Sequence, residues 1–440
     1  MPRMNIRSSL LGTCAVTALT LGLSWGAQAQ TQINGGGSTL AGPIYQTIFQ
    51  NLTGQVDSTV AFNYALVGSG AGARGVLCDD GSQVKIGGVG PTTVHYGASD
   101  NPLTTAQITN WDNNLPQSGC AVQNGGEASG GPLMQIPTIG TPITIAYNNP
   151  KQTANGGLTF TDAQLCGIFS GQITSWSALT GIALKNAPTG AITVVYRSDG
   201  SGTSALLTAH LAKVCTAATS AITFTSTQTF ASLFGGTPPS NFIGASGSGN
   251  VAASIGLDAA QTGGAVTGTS GSIGYISPDY TQIAGIHKGG AFPPVAKIVN
   301  SHSGAAVLPD YADTVSALSQ AILPGQPGGG NVQDGTQYVP TIPDPTVGYP
   351  IVGYTTWILP TCFTDNNVVN GIYEFLSLIY SVPDYISLIQ QQGFVQLPSG
   401  LVSVINANIL NNANGYNIDI DDANICQNNG VSGPGTFAGR

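Results

Sequence analysis

Short hydrophobic runs that end in polar, glycine-rich loops recur along this 440-residue chain. In residues 60–66 large apolar side chains alternate with smaller or polar ones, as in a half-buried strand, and the loop 68–72 follows at once. Residues 192–196 form a continuous apolar run that leads into the loop 197–203. The apolar residues that follow, within 206–214, fall on one face of a helix. The pattern predicts strands that lead through polar loops into helices.

Two further loops fit the same pattern. Residues 35–39 precede apolar residues at helical spacing from Leu40 onward, and Pro43 is acceptable there because it lies in the first turn. The apolar residues Val94 and Tyr96 end in the loop 97–100. Alternating strands and helices indicate an α/β fold, in which ligands gather outside the carboxyl ends of the strands. The four loops are therefore predicted to face a common place.

The length of the chain predicts two lobes, because residues 30–440 exceed the size that one core usually reaches. The extended segments 135–147 and 273–278 are predicted to be two crossings between the lobes. Lobe I is then expected to comprise residues 30–140 and 279–440, and lobe II residues 141–278. The segment 324–350 is rich in Pro and Gly and is predicted to be a surface excursion.

The first residues predict an export signal. Arg3 and Arg7 precede an apolar stretch, 10–23, and residues 27–29 offer a small-x-small cleavage site, so residues 1–29 are predicted to be a signal peptide. Cys14 lies inside the apolar stretch rather than at its end, which disfavours lipid attachment. No later stretch reaches the roughly 20 apolar residues that a membrane helix needs. We expect a periplasmic or secreted protein without stable membrane insertion.

Cysteine usage agrees with export, because an even number of cysteines in an exported chain indicates disulfides. Without Cys14, six cysteines remain, and six cysteines allow 15 pairings. No C-x-x-C cluster suggests a metal site, and neither a metal nor a cofactor is expected. Pairing neighbours in sequence order gives Cys78–Cys120, Cys166–Cys215 and Cys362–Cys426, with the other pairings still open.

Charge is sparse and acidic, with 7% charged residues and a formal net charge of −9. Nucleic acid and anionic membranes are therefore not expected as partners. The 41% of apolar residues supply enough surface for a folded protein despite 61 glycines. We expect a monomer.

The polar loops carry the groups that an oxyanion needs. Burying an anion without partners costs several kcal/mol, on the order of what a fold can spare, so a dry site needs donors fixed in advance. Backbone N–H groups in Gly-rich loops, Ser and Thr hydroxyls and the planar fork of Arg are such donors. They occur together at Ser38-Thr39, at Ser69 and in the loop 197–203. Each loop taken alone also fits a turn or a helix cap, and Asp100 alone fits an N-cap.

Six motifs in order resemble the bacterial periplasmic phosphate-binding proteins of ABC transport, and among them the DING branch. The resemblance covers nearly all of residues 30–430, although Gln32 stands where the name-giving Asp of the branch would be. It implies the two-lobed periplasmic-binding-protein fold of type II, with two hinge crossings. The motifs are residues 33–40, 97–100, 165–171 with Trp176, 197–203, 275–278 and 348–350.

The resemblance also implies a ligand and a set of binding residues. The ligand is inorganic phosphate, and an ABC transporter permease is a possible partner. Asp199 is implied to orient Arg197 from behind. Phosphate is implied to contact the backbone of Thr39 and Leu40, then Ser69, Asp100, Arg197, Ser201, Gly202 and Thr203.

Asp100 accounts for selectivity in this interpretation. Phosphate keeps at least one proton at neutral pH, whereas sulfate keeps none. A carboxylate can only accept hydrogen bonds, so it accepts one from phosphate and repels sulfate. An unmade bond to a buried charged group costs on the order of 1–3 kcal/mol, which is about tenfold to hundredfold in affinity.

Two other functions stay open at this point. One is a phosphate-monoester hydrolase, although no H-E-x-x-H, G-x-S-x-G or P-loop motif occurs. The other is a secreted adhesion protein, which low charge and many Asn, Ser and Thr residues would suit. The acidic segment 419–424 lacks the glycine of an EF-hand and is predicted to be a solvated loop. The scattered histidines His95, His210, His287 and His302 are predicted to be surface or core residues.

Overall fold

A computed structural model describes residues 30–52, 59–149, 154–179, 189–256, 270–285, 292–427 and 435–440. The predicted signal peptide and His287 lie outside these ranges. Within them the chain forms twelve strands and eleven α-helices. The strands are β1 Thr31–Gly37, β2 Val60–Leu66, β3 Tyr96–Ser99, β4 Leu133–Pro142, β5 Thr144–Tyr147, β6 Thr159–Phe160, β7 Thr193–Arg197, β8 Phe242–Ala245, β9 Ser272–Ile276, β10 Lys297–Val299, β11 Ala306–Val307 and β12 Val352–Pro360. The helices are α1 Gly42–Leu52, α2 Ser69–Cys78, α3 Thr105–Asp112, α4 Glu127–Gly130, α5 Asp162–Phe169, α6 Gly202–Val214, α7 Gly247–Ile255, α8 Tyr311–Leu318, α9 Asn366–Ser381, α10 Pro383–Gln391 and α11 Ser399–Ile405.

Two sheets carry the two lobes. The five-stranded sheet has the order β2-β1-β3-β12-β4. Strand β1 is parallel to both its neighbours, β2 and β3. Strand β12 is antiparallel to both its neighbours, β3 and β4. The four-stranded sheet has the order β5-β9-β7-β8, with β7 parallel to both its neighbours. We call the part built on the first sheet lobe I and the part built on the second sheet lobe II.

The chain passes from one sheet to the other at Ile143. This residue separates β4 from β5, and its N–H donates to the carbonyl of Ile351 over 2.8 Å. A third, small sheet has the order β11-β10-β6 and lies against lobe II, because Val295 forms a bridge with Ala146. Residues 295–299 thus pair with strands of the segment 141–278. The lobe boundaries themselves stay a prediction.

An aromatic cluster forms the core beneath the five-stranded sheet. The ring of Trp357 stacks on Tyr96 on one side and on Phe375 of α9 on the other, with ring centroids 4.2 Å apart in both pairs. Phe49 of α1 stacks on Phe62 of β2 at 4.6 Å. These large rings bury apolar area between the helices and the sheet. They fix the strand ends from which the polar loops emerge.

The structure joins Cys78 to Cys120, Cys166 to Cys215 and Cys362 to Cys426, with Cα–Cα distances of 5.4–5.7 Å. This is the pairing that sequence order predicts. The Cys166–Cys215 bridge ties α5 to the end of α6, and the other two bridges lie in lobe I. Each bridge therefore tightens one lobe and leaves the connection between the lobes unconstrained.

The segment 324–350, predicted to be a surface excursion, contacts both lobes. Gln135 in β4 donates to the carbonyl of Thr336 over 2.6 Å, and the ring of His210 in α6 lies 2.9 Å from the carbonyl of Pro343. Tyr338 and Tyr349 are fully buried. These tyrosines explain the difference from the prediction, because each anchors a Pro- and Gly-rich stretch to the core. Residues 339–343 also close a cavity of about 240 Å³ that has Asp100 in its wall.

Asp279, just after β9, has a buried carboxyl group, and we expect it to make the stability of the protein depend on pH. Burial raises the pKa of Asp279 to about 8, whereas its ordinary value is 3.8. Between these values the folded chain keeps a proton that the unfolded chain loses, so the free energy of unfolding falls as the pH rises from about 4 to 8. Asp279→Asn should remove this fall and make the variant more stable than the wild type at pH 8 by about 2 kcal/mol or more.

Urea unfolding at pH 5 and pH 8 measures this effect. Asp384→Asn, at an exposed carboxylate in α10, is the control and should keep the wild-type pH dependence. An equal loss of stability between pH 5 and pH 8 in Asp279→Asn and in the wild type would contradict a buried, protonated Asp279.

Candidate anion-binding site

The polar loops meet between the two sheets. β1 and β3 of lobe I end at Gly37 and Ser99, and β7 of lobe II ends at Arg197, so that the residues after these strands face one another. The N–H of Gly70 in α2 donates to the carbonyl of Gly200 over 3.1 Å across this cleft. Helices α2, α6 and α7 all begin at the cleft. The first N–H groups of a helix have no partner within it and can donate outward, as those of Gly247 and Ser248 in α7 do to Asp199 Oδ1 and Thr39 Oγ1.

Asp100 is the carboxylate of the site and is only 2% exposed. Its Oδ1 accepts hydrogen bonds from the hydroxyl of Ser38 over 2.7 Å and from that of Thr355 over 2.6 Å. The hydroxyl of Ser69 lies 3.3 Å from Oδ2. Burial raises the pKa of Asp100, and the hydrogen bonds from Thr355 and Ser38 and the charge of Arg197 oppose that rise. The donors thus favour the ionised carboxylate against the effect of burial.

A close approach of α2 to the sheet positions Ser69. A Cβ on Gly72 would lie 2.5 Å from the carbonyl oxygen of Gly36 and from the Cα of Gly37, so only glycine fits there. Ser69 stands one turn earlier, at the start of α2, and is buried. Its hydroxyl also lies 3.4 Å from the backbone nitrogen of Asp100.

Arg197 is the buried cation of the site, with 2% exposure. Its Nε donates to Asp199 Oδ1 over 2.7 Å, and its Nη2 pairs with Asp199 Oδ2. Burial opposes ionisation of Asp199, but the bonds from Arg197 and from the N–H of Gly247 hold its pKa below the usual value. Arg197 and Asp199 are thus paired, and the role of Asp199 in orienting Arg197 for a ligand stays a prediction. Among the described residues, Nη1 has one long contact, 3.5 Å from the hydroxyl of Ser248.

The start of α6 contributes the other three predicted residues. Ser201 is the N-cap, and its Oγ accepts from the N–H of Ser204. Gly202 packs against Asp100, since a Cβ there would lie 2.5 Å from the Asp100 Cβ. The Thr203 hydroxyl is buried and has no hydrogen-bond partner among the described residues. A buried hydroxyl in this state is costly unless another group pairs with it.

The first loop contributes Thr39 and Leu40. The hydroxyl of Thr39 lies 3.2 Å from that of Ser248, in the first turn of α7 and thus in the opposite lobe. The N–H of Leu40 points to Ser38 Oγ over 3.1 Å. Every predicted site residue therefore lies at or beside the same cleft. Their roles as phosphate ligands stay a prediction.

Sequence reasoning missed Ser248 and Thr355. Ser248 could have been found, because residues 246–249 are a Ser/Gly sequence directly after a strand, as at the other site segments. Thr355 lies inside a buried nine-residue strand, where nothing in the sequence distinguishes it from the neighbouring Thr356. Only the pairing of β12 with β3 brings it to Asp100.

The three histidines that the structure describes bind other partners. His210 contacts Asp162 and Pro343, His302 pairs with Asp344, and His95 accepts from the N–H of Asn34. No group of three or more His, Cys, Asp or Glu residues in the described ranges could hold a metal ion. In the same ranges, no helix is long and apolar enough to span a membrane.

Comparison with known proteins identifies the family. A model of the PBP superfamily domain matches residues 25–361, so the chain belongs to the PBP superfamily. Alkaline phosphatase L of Pseudomonas aeruginosa strain PAO1 is 30% identical over 427 residues, covering 96% of this chain and 99% of that protein. A phosphate-binding protein of an unknown prokaryotic organism is 30% identical over 410 residues, covering 90% and 99%.

A solved structure agrees with this assignment. The high affinity periplasmic phosphate-binding protein PfluDING, bound with phosphate, has a TM-score of 0.69 and 29% identity, covering 90% of this chain and 97% of that one. The predicted two-lobed α/β fold and the predicted resemblance to DING-type phosphate-binding proteins are confirmed.

The contact between Gly202 and Asp100 predicts that the lobes can approach this closely only with glycine at position 202. In Gly202→Ala the new Cβ must move from 2.5 Å to at least 3.4 Å from Asp100, so the lobes must separate by about 1 Å or more. Small-angle scattering should show a larger radius for this variant than for the wild type.

Gly249→Ala is the matched control, because a Cβ there meets only Tyr280, at 3.7 Å. It should keep the wild-type radius. An unchanged radius in Gly202→Ala would contradict a close interlobe contact at this position.

Proposed function

We propose that the protein binds inorganic phosphate between its lobes. The observation that carries this proposal is the buried hydroxyl of Thr203, which has no hydrogen-bond partner among the described residues and follows Gly202, the residue that packs against Asp100. A ligand that satisfies both must offer an acceptor to Thr203 and a proton to Asp100. A protonated oxyanion does both, and the Nη1 of Arg197 adds a charged donor.

The assigned roles follow the chemistry of each group. Ser69, Thr203 and the N–H groups at the starts of α2 and α6 donate to the anion, as does Arg197. Asp100 accepts the proton of phosphate. The complete proposed set is Thr39, Leu40, Ser69, Asp100, Arg197, Ser201, Gly202 and Thr203, with Asp199 behind Arg197.

The names of the relatives support phosphate as the ligand and leave hydrolysis to be tested. Among them are phosphate-binding proteins and also alkaline phosphatase L. We propose binding without turnover, in line with the relative and the solved structure that are described as phosphate-binding proteins. Release of the aryl alcohol from an aryl phosphate by the purified protein, at a rate that Thr203→Val lowers, would overturn this part of the proposal.

The same comparison supports a location outside the cytoplasm. A structural neighbour is described as periplasmic, and the disulfides suit an oxidising compartment. We propose a periplasmic or secreted monomer that delivers phosphate to an ABC transporter permease or retains it outside the cell.

Calorimetry with inorganic phosphate tests the function. The wild type should bind phosphate with one site per chain. Thr203→Val has nearly the same shape but lacks the hydroxyl, so it should lose about tenfold in affinity or more. Thr216→Val, at an exposed threonine after α6, is the control. No heat of binding from the wild type would contradict the proposal.

Asp100→Asn tests selectivity. The amide can donate to sulfate, so the preference for phosphate over sulfate should fall by about tenfold to hundredfold relative to the wild type. Competition of sulfate against bound phosphate measures this ratio. If the variant rejected sulfate as strongly as the wild type does, Asp100 would not be the selector.

A further inference from the structure

The pairing of β12 with β4 has an irregularity near Asp100. Thr355 pairs with Ile139 of β4, but the next residue, Thr356, pairs with Pro137, so Thr138 is an extra residue in β4. The hydroxyl of Thr138 donates to the carbonyl of Thr355 over 2.9 Å. Such bulges occur next to functional sites, where they change the direction of a side chain. The bulge and this hydrogen bond together fix the backbone at Thr355.

The side chain of Thr355 is directed to the carboxylate. Its hydroxyl donates to Asp100 Oδ1 over 2.6 Å, and the residue is fully buried. Ser38 donates to the same oxygen over 2.7 Å. Oδ1 therefore has two close donors, whereas Oδ2 has the longer contact of 3.3 Å with Ser69. This asymmetry leaves Oδ2 as the oxygen that can accept a proton from a ligand.

Thr355 also acts on the charge of Asp100. Burial favours the neutral acid and raises its pKa, and the hydrogen bond from Thr355 is the largest of the interactions that oppose this effect. A hydroxyl that donates to a carboxylate stabilises the ionised form. A valine in its place would remove the donor and keep the shape.

We propose that Thr355 is a positioning residue that sets anion selectivity, because its hydroxyl, together with that of Ser38, occupies Oδ1 and leaves Oδ2 to accept the proton of a ligand. This inference rests on the proposed function, since it assigns a role in the same phosphate site. The proton-accepting state of Asp100 then persists to lower pH than a carboxylate buried without this donor would allow.

The other titratable and charged groups around Asp100 do not replace this role. Arg197 faces it from β7 with its partner Asp199. The phenols of Tyr45 in α1 and Tyr64 in β2 face it from lobe I, and burial raises the pKa of both well above the ordinary value, which keeps them neutral. Asp100 is thus the member of this group whose protonation the Thr355 hydroxyl opposes.

Calorimetry of phosphate and sulfate from pH 5.5 to 8.5 tests the proposal in three variants. In Thr355→Val the preference for phosphate over sulfate should fall roughly tenfold to hundredfold at pH 5.5 and approach the wild-type value at pH 8.5. Thr355→Ser keeps the hydroxyl and should restore the wild-type profile. Thr141→Val is the matched control, because this buried threonine in β4 donates only to a backbone carbonyl among the described residues.

The outcomes separate the two proposals. Wild-type protein that binds no phosphate would overturn the proposed function and this inference with it. Wild-type binding together with an unchanged selectivity profile in Thr355→Val would overturn the role of Thr355 alone. Should Thr355→Val fail to fold, Thr355→Cys supplies a weaker donor and should shift the profile in the same direction. A wild-type profile in Thr355→Cys would then count against the proposal.

Discussion

The arrangement of the two lobes depends on one buried carboxylate. An ionised carboxylate inside a protein costs several kcal/mol, on the order of the stability of the fold, unless donors surround it. Lobe I supplies these donors to Asp100 from three different elements, through Ser38, Ser69 and Thr355. Lobe II then packs a glycine, Gly202, against the same side chain. The polar groups of the cleft are therefore fixed before any ligand arrives, as a site that selects among anions requires.

The charges in the cleft do not by themselves attract an anion. Arg197 contributes +1, and Asp199 and Asp100 each contribute −1 when ionised, so the three sum to −1. Affinity for an anion must then come from local donors: hydroxyls, helix N-termini and the fork of Arg197. The formal net charge of −9 for the whole chain fits this view, because salt screens distant charges beyond about 8 Å. A site of this kind recognises the protons and shape of its ligand more than its charge.

Local patterns in the sequence predicted much of the fold. The predicted strand from Val60 to Leu66 has the bounds of β2, although Ala65 is buried and Leu66 is exposed, and Leu207, His210 and Leu211 lie on the buried face of α6. Long-range pairing could not be predicted in this way. Strands β6 and β10, only two and three residues long, give no periodic signal, and Thr355 lies 255 residues from its partner Asp100. The site loops were predictable because Gly, Ser and Thr follow strands in the sequence. The position of the Thr355 hydroxyl next to Asp100 was not, because it depends on the pairing of β12 with β3.

A crystal structure of the protein grown with phosphate tests the central claim most directly. The account predicts one tetrahedral anion in the cleft, with separate oxygens within hydrogen-bond distance of Thr203 Oγ1, the Arg197 guanidinium and Asp100 Oδ2. The oxygen that contacts Asp100 should be the protonated one, as a short contact would show. An anion bound elsewhere, or a cleft in which Asp100 points away from the bound anion, would contradict the account.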